Sequence, residues 1–550
     1  PRSAHFNWPD AAAQNGDNRT RLNATSSPSR YPMRSLTSPT ATLLAKPSRF
    51  QHFLNLVEKT GNALPNPASM FALLALAVVV LSAILHSAGI TVLHPVTGEA
   101  VGVVNLLSVE GLQRILLEAE RNFLAYPPLG IALMCLIGIG IAEQSGLMSA
   151  GLRLVVFASP RKLITPMVVF AAVLSNAGSE LGYVLVVPLA GALYHSLGRH
   201  PILGLAAAFA GVSGGYSANI LLGAIDVLLA GLSQAAAQLV EPTYRVAPTA
   251  NYYFMVVSAL LIAVAGTFVT EKIIAPRLGE YRGDAPRDDL KPLSHAEKRG
   301  LLFALLTVTV ITALVVWGLL PGGGFLQNPG STELKDSVFI RGLVSFIFLY
   351  ALLPGIVYGV AAGSFKNDHD IVAGMVHSMK SLASFIVLAF FASQFIAYFN
   401  WANLGIVTAV SGANFITHIG LEQMPGLLMI AVLLFAAAVN MLMTSASAKW
   451  ALLAPVFVPM FMLLGFSPEL VQCAFRIGDS ITNILTPLMN YFPLVFTFFI
   501  KYEPKTGIGT VIALMLPYSI VFGLLWTALL VMWVTFGIPL GPGAELYLGS

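Results

Sequence analysis

Residues 163–200 read LITPMVVFAAVLSNAGSELGYVLVVPLAGALYHSLGRH, two apolar runs on either side of the polar interruption Ser175-Asn176-Ala177-Gly178-Ser179-Glu180. Neither run alone reaches the roughly 20 residues that cross a hydrocarbon core about 30 Å thick. Arg161 and Lys162 precede the stretch and Arg199 follows it. Positive residues collect at the cytoplasmic ends of membrane segments, so the chain enters and leaves on that side. The stretch at about 163–197 therefore reads as a re-entrant hairpin. Broken backbone of this kind is tolerated in a membrane only where protein or water covers it.

A second stretch has the same plan. From Gly426 the chain is apolar to Gly465, except at Thr444-Ser445-Ala446-Ser447-Ala448-Lys449. Residues 400–425 before it and Phe466-Ser467-Pro468-Glu469 after it contain no Lys or Arg, so this hairpin, at about 426–466, enters from outside. The correspondence goes beyond hydropathy. Pro188 is followed ten residues later by Gly198 and then by Pro201, as Pro455 is by Gly465 and Pro468. Ser217-Ala218-Asn219-Ile220-Leu221 then corresponds to Ile481-Thr482-Asn483-Ile484-Leu485, with a gap of about three residues. Each unit continues into a span broken by small polar residues, at Gly211–Ser217 and at Gly478-Asp479-Ser480. Two like units of opposite sidedness make an inverted repeat, whose binding site is expected where the breaks meet near the midplane.

The remainder of the chain fits this frame. Of its 550 residues 56% are hydrophobic and 10% charged, against about 25% charged in a soluble domain. Continuous apolar runs rather than alternating ten-residue segments exclude a β-barrel. Further spans are expected at about 67–90, 127–150, 201–231, 252–271, 300–320, 338–363, 375–399, 470–500 and 507–538. That makes an all-α polytopic membrane protein of about nine spans plus two hairpins. Lys46, Arg49 and Lys59 put the N-terminus in the cytoplasm, and the alternation leaves the C-terminus outside. Residues 1–50 are polar, are expected to be disordered before about residue 45, and carry no signal peptide; the chain opens on Pro1, with Met33 as a candidate start. The net charge of +4 lies in short loops and reads as a topology signal rather than a nucleic-acid surface. Cys135 and Cys473 stand apart inside apolar runs, as packed thiols do. A Walker loop, HExxH and GxSxG are absent, which speaks against an ATP-driven pump and the common hydrolases.

Ionisable groups in membrane segments are the candidates for function. Here they are Glu180, Asp226, Lys449, Arg476 and Asp479. Arg476 and Asp479 stand i, i+3 and could simply pair, and Glu180 and Lys449 could sit at solvent-facing tips with Ser175, Asn176 and Ser445. Half-helix N-termini suit an anion, while Asn, Ser and Asp oxygens suit Na⁺. Asp226, Asn440 and Asp479, with Asn219 and Asn483, are therefore the expected ion-coupling set. Trp450 directly follows the second tip and is expected either to stack on an aromatic ligand or to pack.

Three motifs carry a family resemblance. Gly211-Val212-Ser213-Gly214-Gly215-Tyr216-Ser217-Ala218-Asn219 with Asp226, then Ser445–Ala451, then Arg476-Ile477-Gly478-Asp479-Ser480-Ile481-Thr482-Asn483, resemble the p-aminobenzoyl-glutamate transporter (AbgT) family, and more so its MtrF-like efflux branch. The resemblance covers about residue 50 to the C-terminus. It implies a homodimer in the bacterial inner membrane, nine spans and two hairpins per subunit, and no enzymatic activity. It also implies secondary transport of p-aminobenzoyl-glutamate and export of sulphonamide antimetabolites, driven by H⁺ or Na⁺, with no cofactor beyond a bound Na⁺. Family site residues carry over to Asp226, Asn440, Ser447, Trp450, Pro468, Arg476, Asp479 and Pro487. In this reading Arg476 holds substrate carboxylates, with Ser447, Trp450, Pro468 and Pro487 lining the site. An ion channel and an intramembrane amidase are the rival readings; the paired dead-end hairpins argue against a pore, and no Ser/Lys constellation supports the enzyme.

Overall fold

The computed structural model describes residues 65–93, 99–178, 181–283, 285, 292–320, 324–328 and 337–549. The polar segment 1–50 and Glu180 lie outside the described residues. Eight helical stretches among the described residues are long and apolar enough to cross a bilayer, and several shorter apolar helices accompany them.

The chain begins with α1 (Pro67–Ser87), which Asn66 caps by accepting the Ala68 N–H at 3.0 Å. A short antiparallel ribbon, β1 (Thr91–Leu93) with β2 (Ala100–Gly102), is the two-stranded sheet of an otherwise helical chain. Then come α2 (Val109–Leu124), α3 (Pro127–Gln144) and α4 (Leu147–Phe157). The stretch between the spans expected at 67–90 and 127–150 thus contains a helix, α2, capped by Ser108 and packed along α12 (Asp368–Trp401). The span expected at 127–150 is two helices, because Gly146 takes φ +89° and turns the chain.

The first expected hairpin comprises α5 (Ile164–Leu174), a 3₁₀ turn at Ser175–Gly178, a π turn at Gly182–Val186 and α6 (Val187–Ser196). After it, α7 (Pro201–Phe209) runs through a π turn, Ala210–Gly214, into a non-helical stretch, and α8 (Ala224–Ala237) resumes at Ala224. This is the break expected at Gly211–Ser217. Next are α9 (Tyr252–Phe268), α10 (His295–Leu319), α11 (Leu343–Ala362) and α12.

Residues 400–425, read from sequence as an outside loop, contain α13 (Leu404–His418), which packs on α15 (Ala446–Leu463). The absence of Lys and Arg speaks to sidedness and not to helicity, so the helix escapes a charge-based reading. The second hairpin region pairs α14 (Pro425–Asn440) with α15. The last helices are α16 (Pro468–Asn483), α17 (Phe492–Tyr502) and α18 (Ile508–Phe536). Gly478-Asp479-Ser480, expected to be a break, lie inside α16; the interruption comes later, before α17. The reason is packing: a Cβ on Gly478 would stand 2.1 Å from the Leu433 carbonyl oxygen, so the glycine serves close approach of α16 to α14 and not unwinding.

The proline turns of the two units share one geometry. Gly198 and Gly465 have φ +73° and +87°, and Pro201 and Pro468 occupy the first helical turn after each. His200 Nδ1 accepts the Ile202 N–H at 3.3 Å in one, and Ser467 Oγ accepts the Leu470 N–H at 3.2 Å in the other. Burial holds the His200 imidazole below its ordinary pKa against the pull of Glu503, which favours the neutral ring whose Nδ1 can accept. A C-terminal strap closes over the second turn, with Ser467 N–H donating to Leu546 O at 3.0 Å and Leu548 N–H to Gly465 O at 2.9 Å.

Large apolar side chains such as Leu305, Val310 and Trp317 on α10 and Leu524 on α18 point outward. The charged groups Asp226, Lys449, Arg476 and Asp479 point inward, the reverse of a soluble protein and the arrangement a bilayer requires. The tight α14–α16 contact yields a first test. Gly478→Ala should lower the melting temperature in detergent by the equivalent of about 1–3 kcal/mol of overpacking. Gly509→Ala, where nothing lies within 4 Å, should not.

Candidate substrate and ion site

Four charged side chains meet where α8, α14, α15 and α16 converge, and none is more than 4% exposed: Asp226, Lys449, Arg476 and Asp479. Each is placed by its local structure. Asp226 sits in the first turn of α8, where its Oδ2 accepts the Gly223 N–H at 2.7 Å. Its Oδ1 accepts from Arg476 Nη2 at 2.5 Å. Arg476 projects from the middle of α16, and its Nε is buried without a hydrogen-bond partner among the described residues. Lys449 lies in the first turn of α15, pairs with Asp479 on α16, and donates to Asn440 Oδ1 at the end of α14.

The pairing corrects two expectations. Arg476 and Asp479, neighbours on one helix, do not pair with each other; each binds a partner from another helix. Lys449 is not at a solvent-facing tip, because α15 begins at Ala446 and its first turn carries the ammonium inward. Two acids and two bases leave the cluster neutral. A lone buried ion would cost several kcal/mol, so each charge can stay in the interior only with its partner.

Asn440 knits the second half together. Its Nδ2 lies 2.7 Å from Asp479 O, 2.9 Å from Thr482 Oγ1 and 2.9 Å from Asn483 Oδ1. Its Oδ1 and the Asp479 carboxylate, two of the oxygens expected to bind Na⁺, are met by Lys449 Nζ, a built-in cation. Among the described residues no group of three or more His, Cys, Asp and Glu could hold a metal ion. Asn219 spends its Oδ1 on the Ile220 and Leu221 N–H groups, at 2.9 and 3.1 Å. The first break reaches α16 through Ser217 N–H, which donates to Ser480 Oγ at 3.1 Å.

The first tip reaches the cluster through Gly223. A Cβ there would lie 3.0 Å from Ala177 Cα and 3.1 Å from Asn176 O, which abuts the tip on the residue that caps Asp226. Ser175 and Asn176 are buried, and both amide atoms of Asn176 lack a partner among the described residues. At the second tip Ser445 Oγ accepts the Ala448 N–H at 3.4 Å, and Ser447 lies within 3.5 Å of Ser445. Pro487 lies in the interruption between α16 and α17. Pro468 starts α16, about 12 Å along the helix from Arg476, and is not part of the cluster.

Trp450 is fully buried. Its Nε1 donates to Ser233 Oγ at 2.8 Å and its ring stacks on Phe475 with centroids 4.5 Å apart. One indole face is thus covered from within the protein. Ser233, Gln472 and Phe475 escaped the sequence reading. A signal existed in the spacing Gln472, Arg476, Ser480, Asn483, which puts four polar groups on one face of a helix.

Removing one partner of a pair should strand the other. Lys449→Ala is expected to cost about 3–5 kcal/mol, and Asp479→Asn in the same chain should recover part of it. Thermal melts of the two single variants and the double variant in detergent measure this. Additive losses would mean the pair is not coupled.

Comparison with known proteins gives the family. Residues 52–548 match the AbgT putative transporter family. The chain is 37% identical over 487 residues to the p-aminobenzoyl-glutamate transport protein of Escherichia coli (strain K12), covering 88% of this chain and 95% of that protein. Its fold is similar to the Neisseria gonorrhoeae MtrF structure, described among antimetabolite efflux pumps, with TM-score 0.85, 46% identity, and coverage of 90% of this chain and all of that one. It is also similar to the Alcanivorax borkumensis YdaH transporter, described as having an unusual topology, with TM-score 0.82, 42% identity, and coverage of 87% and 100%. A match over nearly the whole chain, to a family of transporters rather than of enzymes, leaves one assignment: this multi-pass membrane protein belongs to the AbgT transporter family.

Proposed function

We propose that the protein is an ion-coupled secondary transporter of p-aminobenzoyl-glutamate that also exports sulphonamide-type antimetabolites. In this reading it works as a homodimer in the bacterial inner membrane, with nine spans and two re-entrant hairpins per subunit. The hairpins form an inverted repeat, and the N-terminus is cytoplasmic and the C-terminus outside. The observation that carries the reading is the neutral, buried cluster of Asp226, Arg476, Lys449 and Asp479 at the junction of the two repeat units. Matched turns at Gly198 and Gly465 support the repeat, and the E. coli and N. gonorrhoeae relatives support the substrate classes.

The mechanism follows from the pairings. A substrate carboxylate that reaches Arg476 Nε competes with Asp226 for the guanidinium, since Nε has a hydrogen to give. Asp226, released, takes the coupling ion, H⁺ or Na⁺, and so neutralises itself. Lys449, Asp479 and Asn440 form the second switchable set, in which a coupling cation displaces the ammonium from Asn440 Oδ1. Substrate and ion thus replace contacts that the empty protein makes with itself. Neither binds cheaply without the other, which is the thermodynamic content of coupling.

Counterflow of labelled p-aminobenzoyl-glutamate in proteoliposomes separates a carrier from a channel or an amidase, because only a carrier exchanges label without net flux or cleavage. Arg476→Ala should weaken substrate affinity by about 10- to 150-fold, the equivalent of one charge-assisted contact. Asp226→Ala should instead blunt the response to imposed Na⁺ and pH gradients. Equal loss of both properties in both variants, with normal folding, would refute this division. For topology, a background lacking Cys135 and Cys473 with Ser196→Cys or Met424→Cys, both exposed positions, should label from opposite sides. Labelling from one side would refute the inverted repeat.

A further inference from the structure

Three acidic side chains are buried among the described residues, Asp226, Asp479 and Glu469. The first two are matched by Arg476 and Lys449. Glu469 is 4% exposed and belongs to no ion pair among the described residues. Its carboxyl oxygen Oε2 accepts from Tyr244 Oη at 2.9 Å. We propose that Glu469 is a proton-binding carboxyl of this transporter, separate from the four-residue cluster and at the far end of the same helix. The proposal rests on the carrier reading above and names a group through which a pH gradient acts on it.

The surroundings leave both protonation states within reach. Burial without a counter-ion opposes the charge. The first turn of α16 and the Tyr244 hydroxyl favour it, because the positive end of the helix dipole and an O–H donor lie at the carboxyl. The charged and titratable groups around it come from few elements. The connection between α8 and α9 supplies Tyr244, with Glu241 and Arg245 exposed beside it. The C-terminal strap supplies Tyr547 and the exposed Glu545. On α16 itself Arg476 lies two turns away and is engaged by Asp226. On α8 and α15 the charged groups are Asp226 and Lys449, both committed to the cluster.

The Glu469 turn is tied to that cluster by a polar chain through the protein interior. Asn251 Nδ2 donates to Glu469 O at 2.8 Å, and Gln472 Nε2 donates to Asn251 Oδ1 at 2.9 Å. Ser233 Oγ donates to Gln472 Oε1 at 2.6 Å, and Trp450 Nε1 donates to Ser233 Oγ at 2.8 Å. Trp450 is the next residue after Lys449. The direction of every bond is set by the indole at one end, which can only donate, and the backbone carbonyl at the other, which can only accept. A change at the first turn of α16 therefore meets a fixed chain that ends beside the Lys449–Asp479 pair.

The test uses the purified full-length protein in proteoliposomes with labelled p-aminobenzoyl-glutamate. Glu469→Gln keeps a hydrogen-bond acceptor for Tyr244 and cannot ionise. Counterflow is expected to survive within about twofold, because the amide keeps the shape of the side chain and the Tyr244 contact, and the Na⁺ response is expected to persist. Accumulation driven by a pH gradient, at constant Na⁺, is expected to be lost. Tyr244→Phe removes a donor to the ionised form and should move the midpoint of the pH profile upward by about 0.5 to 1 unit. A folded Glu469→Gln that keeps the parental pH-driven accumulation, or that loses counterflow as well, overturns the proposal. If that variant does not fold, an unchanged midpoint in Tyr244→Phe overturns it. Absence of counterflow in the parent protein would instead overturn the carrier reading.

Discussion

A charge in the middle of a membrane protein has to be answered by another charge, and that constraint organises this structure. Asp226 with Arg476, and Lys449 with Asp479, are two buried pairs that share one helix, α16. Because α16 contributes one member to each pair, with opposite signs, it must lie against α8 on one side and against α14 and α15 on the other. The broken backbone after α7 and after α16, the cap at Gly223 and the Asn440 amide are all arranged around those demands. Mispositioning α16 by a turn would leave four charges unanswered, at several kcal/mol each.

The same economy explains how a site can be selective without being open. Under the mechanism proposed above, the protein's own groups in the cluster imitate what transport brings in. In that proposal the Asp226 carboxylate on Arg476 stands in for a substrate carboxylate, and the Lys449 ammonium on Asn440 and Asp479 stands in for a cation. Internal surrogates of this kind keep the interior neutral in the absence of ligand. They also make binding an exchange of like for like, so the penalty of desolvating a charge is met by groups already in place.

Packing constrains the site as tightly as charge does. Gly478 lets α16 approach the backbone of α14, and that approach brings Asn440 within reach of Asp479, Thr482 and Asn483. Trp450 and Phe475 stack beside it, and the Ser233, Gln472 and Asn251 chain carries the contact to the first turn of α16. Glycine at one position and amides at three others thus decide whether the charged groups face one another at all.

Much of this was legible in the residues alone. Hydropathy determined that the chain is helical and spans a membrane, since no other secondary structure satisfies its backbone over apolar runs of that length. The repeated Pro, Gly and Pro spacing marked two like turns, which the structure forms with left-handed glycines, and the rarity of intramembrane charge singled out Asp226, Lys449, Arg476 and Asp479. Pairing was beyond reach, because Arg476 and Asp479 are neighbours in sequence while their partners come from other helices, and no local rule says which way a helix face turns. Helix α13 and the helical state of Gly478-Asp479-Ser480 were hidden for a related reason. Loop charge reports sidedness, and small polar residues report either a break or a close contact; only the neighbour supplied by the tertiary fold decides between them.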